Sequence, residues 1–245
     1  MIQPVSTFEA IDRHISTLKP SRTLLLFDID NTLLRTLTDI GSTEWIRWQE
    51  SLVDHDRTHK FCVRPDRETL YLTYQKWMNK ARPSTTVMDP HAPALLRRYS
   101  DEGFSLLLLT ARGSNIADIT HEQFRNLYGD NIMSILQDSF VDHDPNSLSS
   151  AHDCLLRNGI FFASGRDKGL CVLQILDYLK SKHGLDFDSL VFADDSDREC
   201  RTVAKAMKDN SISTMVFRYD ADPRIQAAFD AIDKSVLFNK WNRAQ

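Results

Sequence analysis

Thr23-Leu24-Leu25-Leu26-Phe27-Asp28-Ile29-Asp30-Asn31-Thr32 is the stretch on which the fold turns. Five apolar or β-favouring residues run straight into acidic ones. A short, unbroken apolar run marks a parallel strand buried on both faces, and its abrupt end places carboxylates at the carboxyl edge of a sheet. The pattern returns twice downstream. Phe104 to Leu109 leads into Thr110-Ala111-Arg112, and Ser189 to Ala193 leads into Asp194-Asp195-Ser196-Asp197. Further strands are expected over Gly159 to Ala163 and over 213–217.

Helical periodicity fills the intervals. Ser6 and Glu9 form a capping box for a helix carrying Phe8, Ile11, Ile15 and Leu18, which stops before Pro20. Asp89-Pro90 supplies an N-cap and first residue for a helix through about Tyr99. Asn115 to Tyr128 ends at Gly129, and Lys168 to Lys182 ends at Gly184 with Leu170, Leu173, Leu176 and Leu179 placed on one face. Helices over about 197–209 and 223–235 follow, and the polar stretch Asp142 to Ser150 reads as a loop. Alternating β and α elements predict an α/β fold, a Rossmann-like, mainly parallel sheet with helices on both faces.

From about Arg35 to Arg98 the chain changes character. It holds Trp45, Trp48 and Trp77 and two helical patterns near 42–53 and 66–80. The predicted organisation is therefore an N-terminal helix within 1–19, a core of 20–34 and 99–237, and a small helical insertion over 35–98. The three tryptophans, at helical spacing, are expected to build the insertion's own small core. Arg47, Arg64 and Arg67 are expected to keep it solvated.

The composition of the 245 residues, 42% hydrophobic and 26% charged with 8 Gly and 8 Pro, excludes disordered and collagen-like chains. With 30 Lys+Arg against 34 Asp+Glu, no global field draws the protein to nucleic acid or an anionic membrane. The longest apolar runs fall far short of the roughly 20 residues a membrane span needs, and no classical signal peptide is visible. Cys62, Cys154, Cys171 and Cys200 fit neither a disulfide framework nor a metal clip. They predict reduced thiols and a cytoplasmic setting. Val-Asp-His-Asp occurs at 53–56 and again at 141–144, a repeat read as coincidence.

In open α/β folds the site lies at the carboxyl ends of the strands. There Asp28, Asp30, Asp194 and Asp195 are expected to converge, and like charges so close need compensation. Hard oxygen ligands without Cys or His favour Mg²⁺ over zinc. A cation, Lys168 and the Thr110 hydroxyl would surround a phosphoryl group, leaving Asp28 to attack and Asp30 to move the proton. Arg112, two residues beyond Thr110, is expected to be a surface guanidinium.

The order Asp28-Ile29-Asp30-Asn31-Thr32, Thr110, Lys168 and Asp194-Asp195 resembles the four motifs of the haloacid dehalogenase (HAD) superfamily, over about residues 20 to 220. The resemblance implies that Asp28 is the nucleophile and Asp30 the general acid/base. It implies that Thr110, Lys168 and Asn31 meet the substrate, and that Mg²⁺ is held by Asp28, the Asp30 backbone carbonyl and Asp194. Asp195 is then a water-mediated ligand or a partner for Lys168. Asn31 stands where that superfamily most often has Gly, and Asp197 is offset from a common acidic position. The insertion falls where the superfamily places a helical cap. Gly159 to Gly169 also resembles a little-characterised branch found largely in intracellular bacteria, for which export by a non-classical route is conceivable.

Two function classes follow. One is a Mg²⁺-dependent phosphomonoesterase acting through an aspartyl-phosphate on a small phosphometabolite, an aryl phosphate or a phosphotyrosine protein. The other is a non-catalytic binding or regulatory module on the same fold.

Overall fold

The computed structural model describes residues 2–129, 139–142, 154–220 and 222–244. The five expected strands, joined by three that the sequence did not mark, at Ile2–Val5, Ser139–Asp142 and Cys154–Arg157, assemble as an eight-stranded sheet between helical layers. In chain order the sheet contains β1 (Ile2–Val5), β2 (Thr23–Phe27), β5 (Ser105–Thr110), β6 (Ser139–Asp142), β7 (Cys154–Arg157), β8 (Ile160–Phe162), β9 (Ser189–Asp194) and β10 (Ser213–Tyr219); β3 (Leu34–Thr36) and β4 (Thr85–Val87) form a separate antiparallel pair. The spatial order is β1-β10-β9-β2-β5-β8-β7-β6, parallel from β1 to β8 and antiparallel from there to β6.

Strand alternation divides the core between two faces. Leu25 and Phe27 of β2, Leu106 and Leu108 of β5, and Val191 and Ala193 of β9 point to one side. There they meet α1 (Phe8–Ile15), α4 (Ala92–Asp101) and α5 (Ala117–Tyr128) through Ile11, Leu96 and Phe124. Leu24, Leu26, Leu107, Leu109, Leu190 and Phe192 point to the other side, against α6 (Lys168–His183) and α7 (Asp197–Ala206). Because every core strand is buried on both faces, each reads as a continuous apolar run.

From β2 the chain moves to β5, continues to the edge strand β6, returns through β7 to β8 beside β5, and then crosses to β9 on the opposite side of β2. The carboxyl end of β2 is therefore the topological switch point, where α/β sheets open a crevice.

The insertion leaves and re-enters on the β3–β4 pair, which is the stem of α2 (Thr43–His55) and α3 (Arg67–Ala81). Residues beyond Val87 rejoin the core, since Ala92, Leu96 and Tyr99 of α4 are buried in the first layer. The C-terminal segment packs on the insertion instead. It forms two helices, α8 (Pro223–Asp230) and α9 (Lys234–Ala244), in place of the single helix expected at 223–235. Trp241 stacks on Trp45 at 4.2 Å between ring centroids and lies 5.7 Å from Trp77. The aromatic cluster is thus shared between the insertion and the chain's end.

Other expectations change in detail. The first helix is capped by Thr7, not Ser6, and ends at Ile15; the residues before it form edge strand β1. Asp89 does not cap α4; it accepts from the backbone N–H of Phe8 and of His91, each at 2.8 Å, and so anchors the start of α1. In α6 the buried apolar side chains are Cys171, Val172, Ile175 and Leu179, while Leu170 is 62% exposed. Leucines three apart slip by about 60° per step around a helix, so Leu170 and Leu179 cannot share a face. The loop expected at Asp142 to Ser150 lies, beyond Asp142, outside the described residues, as does half of the second Val-Asp-His-Asp.

Candidate functional site

The site grows from the turn after β2. Asp28 is still held in the sheet, its N–H donating to Ala193 O at 2.9 Å. The chain then folds back sharply. Asn31 takes a left-handed conformation (φ 59°), its N–H donates to Leu34 O at 2.8 Å, and Leu33 and Leu34 both donate to Ile29 O. Asn tolerates that conformation where most side chains would not.

Asp28, Asp194 and Asp195 each offer a carboxylate oxygen within 4.8 Å of the others. Lys168, the first residue of α6, reaches between two of them: Nζ donates to Asp28 Oδ1 at 2.5 Å and to Asp194 Oδ2 at 2.6 Å. All three side chains are buried. Thr32 engages the other Asp28 oxygen, with Oγ1 3.1 Å from Oδ2, and accepts the Asp195 N–H at 3.0 Å. Both oxygens of Asp28 are therefore fixed in direction by hydrogen bonds.

The electrostatics follow from burial. Desolvation pushes the Asp28 carboxyl well above the ordinary range; Lys168 pulls it down, and Asp194, Asp195 and Asp30 push it up again. Burial likewise pushes Asp195 up to about 6, against the pull of Arg47. Burial disfavours the Lys168 ammonium, but Asp194 and Asp28 outweigh it and hold the group charged far above neutral pH. One ammonium, Lys168, and one guanidinium, Arg47, against three carboxylates still leave an excess of negative charge. An oxygen-only donor set with that excess suits a hard divalent cation such as Mg²⁺.

Asp30 stands apart from the trio. Its carboxylate receives both arms of the Arg112 guanidinium, Nε at 2.8 Å and Nη2 at 2.7 Å. Arg112 is not on the surface, as its sequence position suggested. Its side chain is 3% exposed, and Nη1 donates to Thr120 Oγ1 at 3.0 Å and Gln123 Oε1 at 2.8 Å on α5. Of the two roles expected of Asp195, the partnership with Lys168 is not found: its ion-pair partner is Arg47 of α2, at 2.9 Å, and Lys168 pairs with Asp28 and Asp194. Arg47 thereby ties the insertion to the core.

The remaining expected residues lie at the edges. Thr110 is fully buried, and its hydroxyl accepts the Arg112 N–H at 3.2 Å. The Asn31 amide donates to Glu44 Oε1 at 2.6 Å, so it fastens the turn to α2. Asp197 opens α7 in solvent and pairs with Arg201 and Arg218, away from the trio. Arg67 binds Asp54 and Glu50, and Arg64 binds Thr73, both within the insertion.

A cleft of about 490 Å³ opens over the carboxylates. Asp28, Asp30, Arg112, Lys168, Asp194 and Asp195 form its core side, and Arg47, Arg67, Tyr71, Tyr74 and Gln75 its insertion side. Thr32 had no role of its own in the sequence reading, although its place four residues after Asp28 was a signal; Arg112 and Arg47 were expected on the surface, and the structure brings both to the site.

The profile of a protein family described as "Protein of unknown function (DUF2608)" matches residues 4–242, a span that runs from within β1 through the insertion and the sheet into α9. The chain belongs to the DUF2608 family. No curated protein matches it. The matched range includes the insertion and reaches into α9, so the DUF2608 unit includes the Trp45–Trp77–Trp241 cluster as well as the carboxylate crevice. Among the described residues, no helix is long and apolar enough to cross a membrane.

Proposed function

We propose that this DUF2608 chain is a HAD-type, Mg²⁺-dependent phosphomonoesterase that works through an aspartyl-phosphate on Asp28. One observation carries the proposal: Asp28 lies at the switch point of the sheet with Lys168 on one oxygen and Thr32 on the other, inside a trio of carboxylates. Lys168 and Arg47 together offset two of the three carboxylates; the charge left over at the cleft is costly unless a further cation joins it.

Asp28, Asp194 and Asp195 would hold Mg²⁺. When bound, the ion would supply positive charge to the phosphoryl oxygens and keep Asp28 ionised. Asp28 attacks phosphorus, the bond from phosphorus to the ester oxygen breaks, and Asp30, entering this step in its protonated form, gives that oxygen its proton. Asp30 then takes a proton from water as water attacks the phosphorus, which frees Asp28 and inorganic phosphate. Lys168 balances charge throughout by staying on Asp28 and Asp194. The insertion closes one side of the cleft and would select the alcohol half of the ester.

The substrate proposed is a small phosphomonoester or an aryl phosphate, including phosphotyrosine, met in a cytoplasm-like compartment. Hydrolysis of p-nitrophenyl phosphate by wild type and Asp28→Asn, with Mg²⁺ and with EDTA, tests the proposal. Metal-dependent turnover that Asp28→Asn loses by several orders of magnitude supports it. A folded wild type that binds Mg²⁺ and hydrolyses nothing would turn the assignment to a binding module.

A further inference from the structure

The Arg112–Asp30 pair has a geometry that neither the metal site nor phosphoryl binding requires. Arg112 is the one arginine buried among the described residues. Its fork is fixed from behind by Thr120 and Gln123, and Gln123 is fixed in turn by its amide donating to Pro83 O at 2.8 Å, where α3 returns toward the core. Asp30 lies in front of the fork, 28% exposed on the cleft side. A bidentate guanidinium sets the plane of a carboxylate as well as its position, which a point charge cannot do.

We propose that Arg112 is a positioning residue that aims Asp30 at the leaving-group oxygen, and that it thereby sets how well the enzyme handles esters of poor leaving groups. The inference rests on the phosphatase reading. An alkoxide needs a proton as it departs, whereas p-nitrophenolate leaves without one. An Asp30 that is mis-aimed but still present should therefore penalise alkyl phosphates selectively.

The test compares kcat/KM for 2-glycerophosphate and p-nitrophenyl phosphate in wild type, Arg112→Lys and Thr120→Val, each at saturating Mg²⁺. This ratio reports steps up to leaving-group departure, so water activation by Asp30 in the second half does not enter. Arg112→Lys keeps the charge and loses the fork. It should lower kcat/KM for the glycerophosphate by about 10²-fold, a general-acid effect, and that for the nitrophenyl ester by about threefold or less. Thr120→Val, which removes one anchor behind the fork, should skew the ratio the same way by a smaller factor. It carries the test if Arg112→Lys does not fold. Equal losses on both substrates, or no loss on either, would overturn the positioning role while leaving the phosphatase intact. A wild type inactive on both esters would overturn the phosphatase reading and the inference with it.

Discussion

The Lys168 ammonium lies 2.5 Å from Asp28 Oδ1 and 2.6 Å from Asp194 Oδ2, and so joins the ends of two adjacent parallel strands from the first turn of a helix on one face of the sheet. The arrangement is possible because Asp167 caps α6 ahead of it, accepting the Leu170 N–H, and starts the helix with Lys168 pointing into the crevice. Removing the ammonium leaves buried carboxylates facing one another. Lys168→Met should cost the metal-free protein about 3–5 kcal/mol, the usual loss when one partner of a buried ion pair is deleted. Saturating Mg²⁺ should restore part of that loss. Urea unfolding with and without the ion measures both effects, and an unchanged metal-free stability would contradict the charge balance described.

Arg47 competes with a cation for Asp195. The pair spans insertion and core at 2.9 Å, with the arginine half exposed and the carboxylate buried. Arg47→Ala should raise the negative potential of the trio and tighten Mg²⁺ binding several-fold, equivalent to about 1 kcal/mol for a partly exposed pair. Calorimetric titration reads this directly. Weaker binding in the variant would instead mean that Arg47 holds Asp195 in place for the ion.

His121 gives a pH signature remote from the carboxylates. On α5, its ring sits edge-on to Phe162 at 5.9 Å, and burial, aided by Arg157 and Arg125, pushes its pKa down to about 4. The folded state thus favours the neutral ring. Its stabilising contribution is complete above the unfolded value of ~6.5 and is lost as pH falls from there toward 4. After discounting for solvent at a part-exposed ring, the loss should be about 1–2 kcal/mol. His121→Gln should flatten that stretch of the stability profile, and identical profiles for the two proteins would contradict the shift.

Much of this architecture could be read in the chain because β2, β5 and β9 are buried on both faces and so appear as unbroken apolar runs. The convergence of Asp28, Lys168 and Asp194 was legible for the same reason, since each sits where such a run or its following helix begins or ends. Edge strand β1 was not. Ile2–Val5 contains Pro4 and two exposed positions, so its pairing with β10 comes from tertiary contact alone. Arg112 was hidden by its type: arginine is rarely buried, and only the arrival of Asp30 from the turn after β2 and of Thr120 and Gln123 from α5 makes burial tolerable. Trp241 was hidden similarly, because the partners that bury it, Trp45 and Trp77, lie more than 160 residues away in sequence.

The most direct measurement is capture of the covalent intermediate. The Mg²⁺-loaded protein is mixed with excess phosphomonoester, quenched in acid within the first turnovers, and reduced with borohydride, which converts an acyl phosphate to the alcohol while sparing free carboxylates. The proteolytic peptide bearing Asp28 should be reduced at that residue alone, and the signal should disappear without substrate and in Asp28→Asn. Substrate turnover with an unmodified Asp28 peptide, or reduction at another carboxylate, would contradict it.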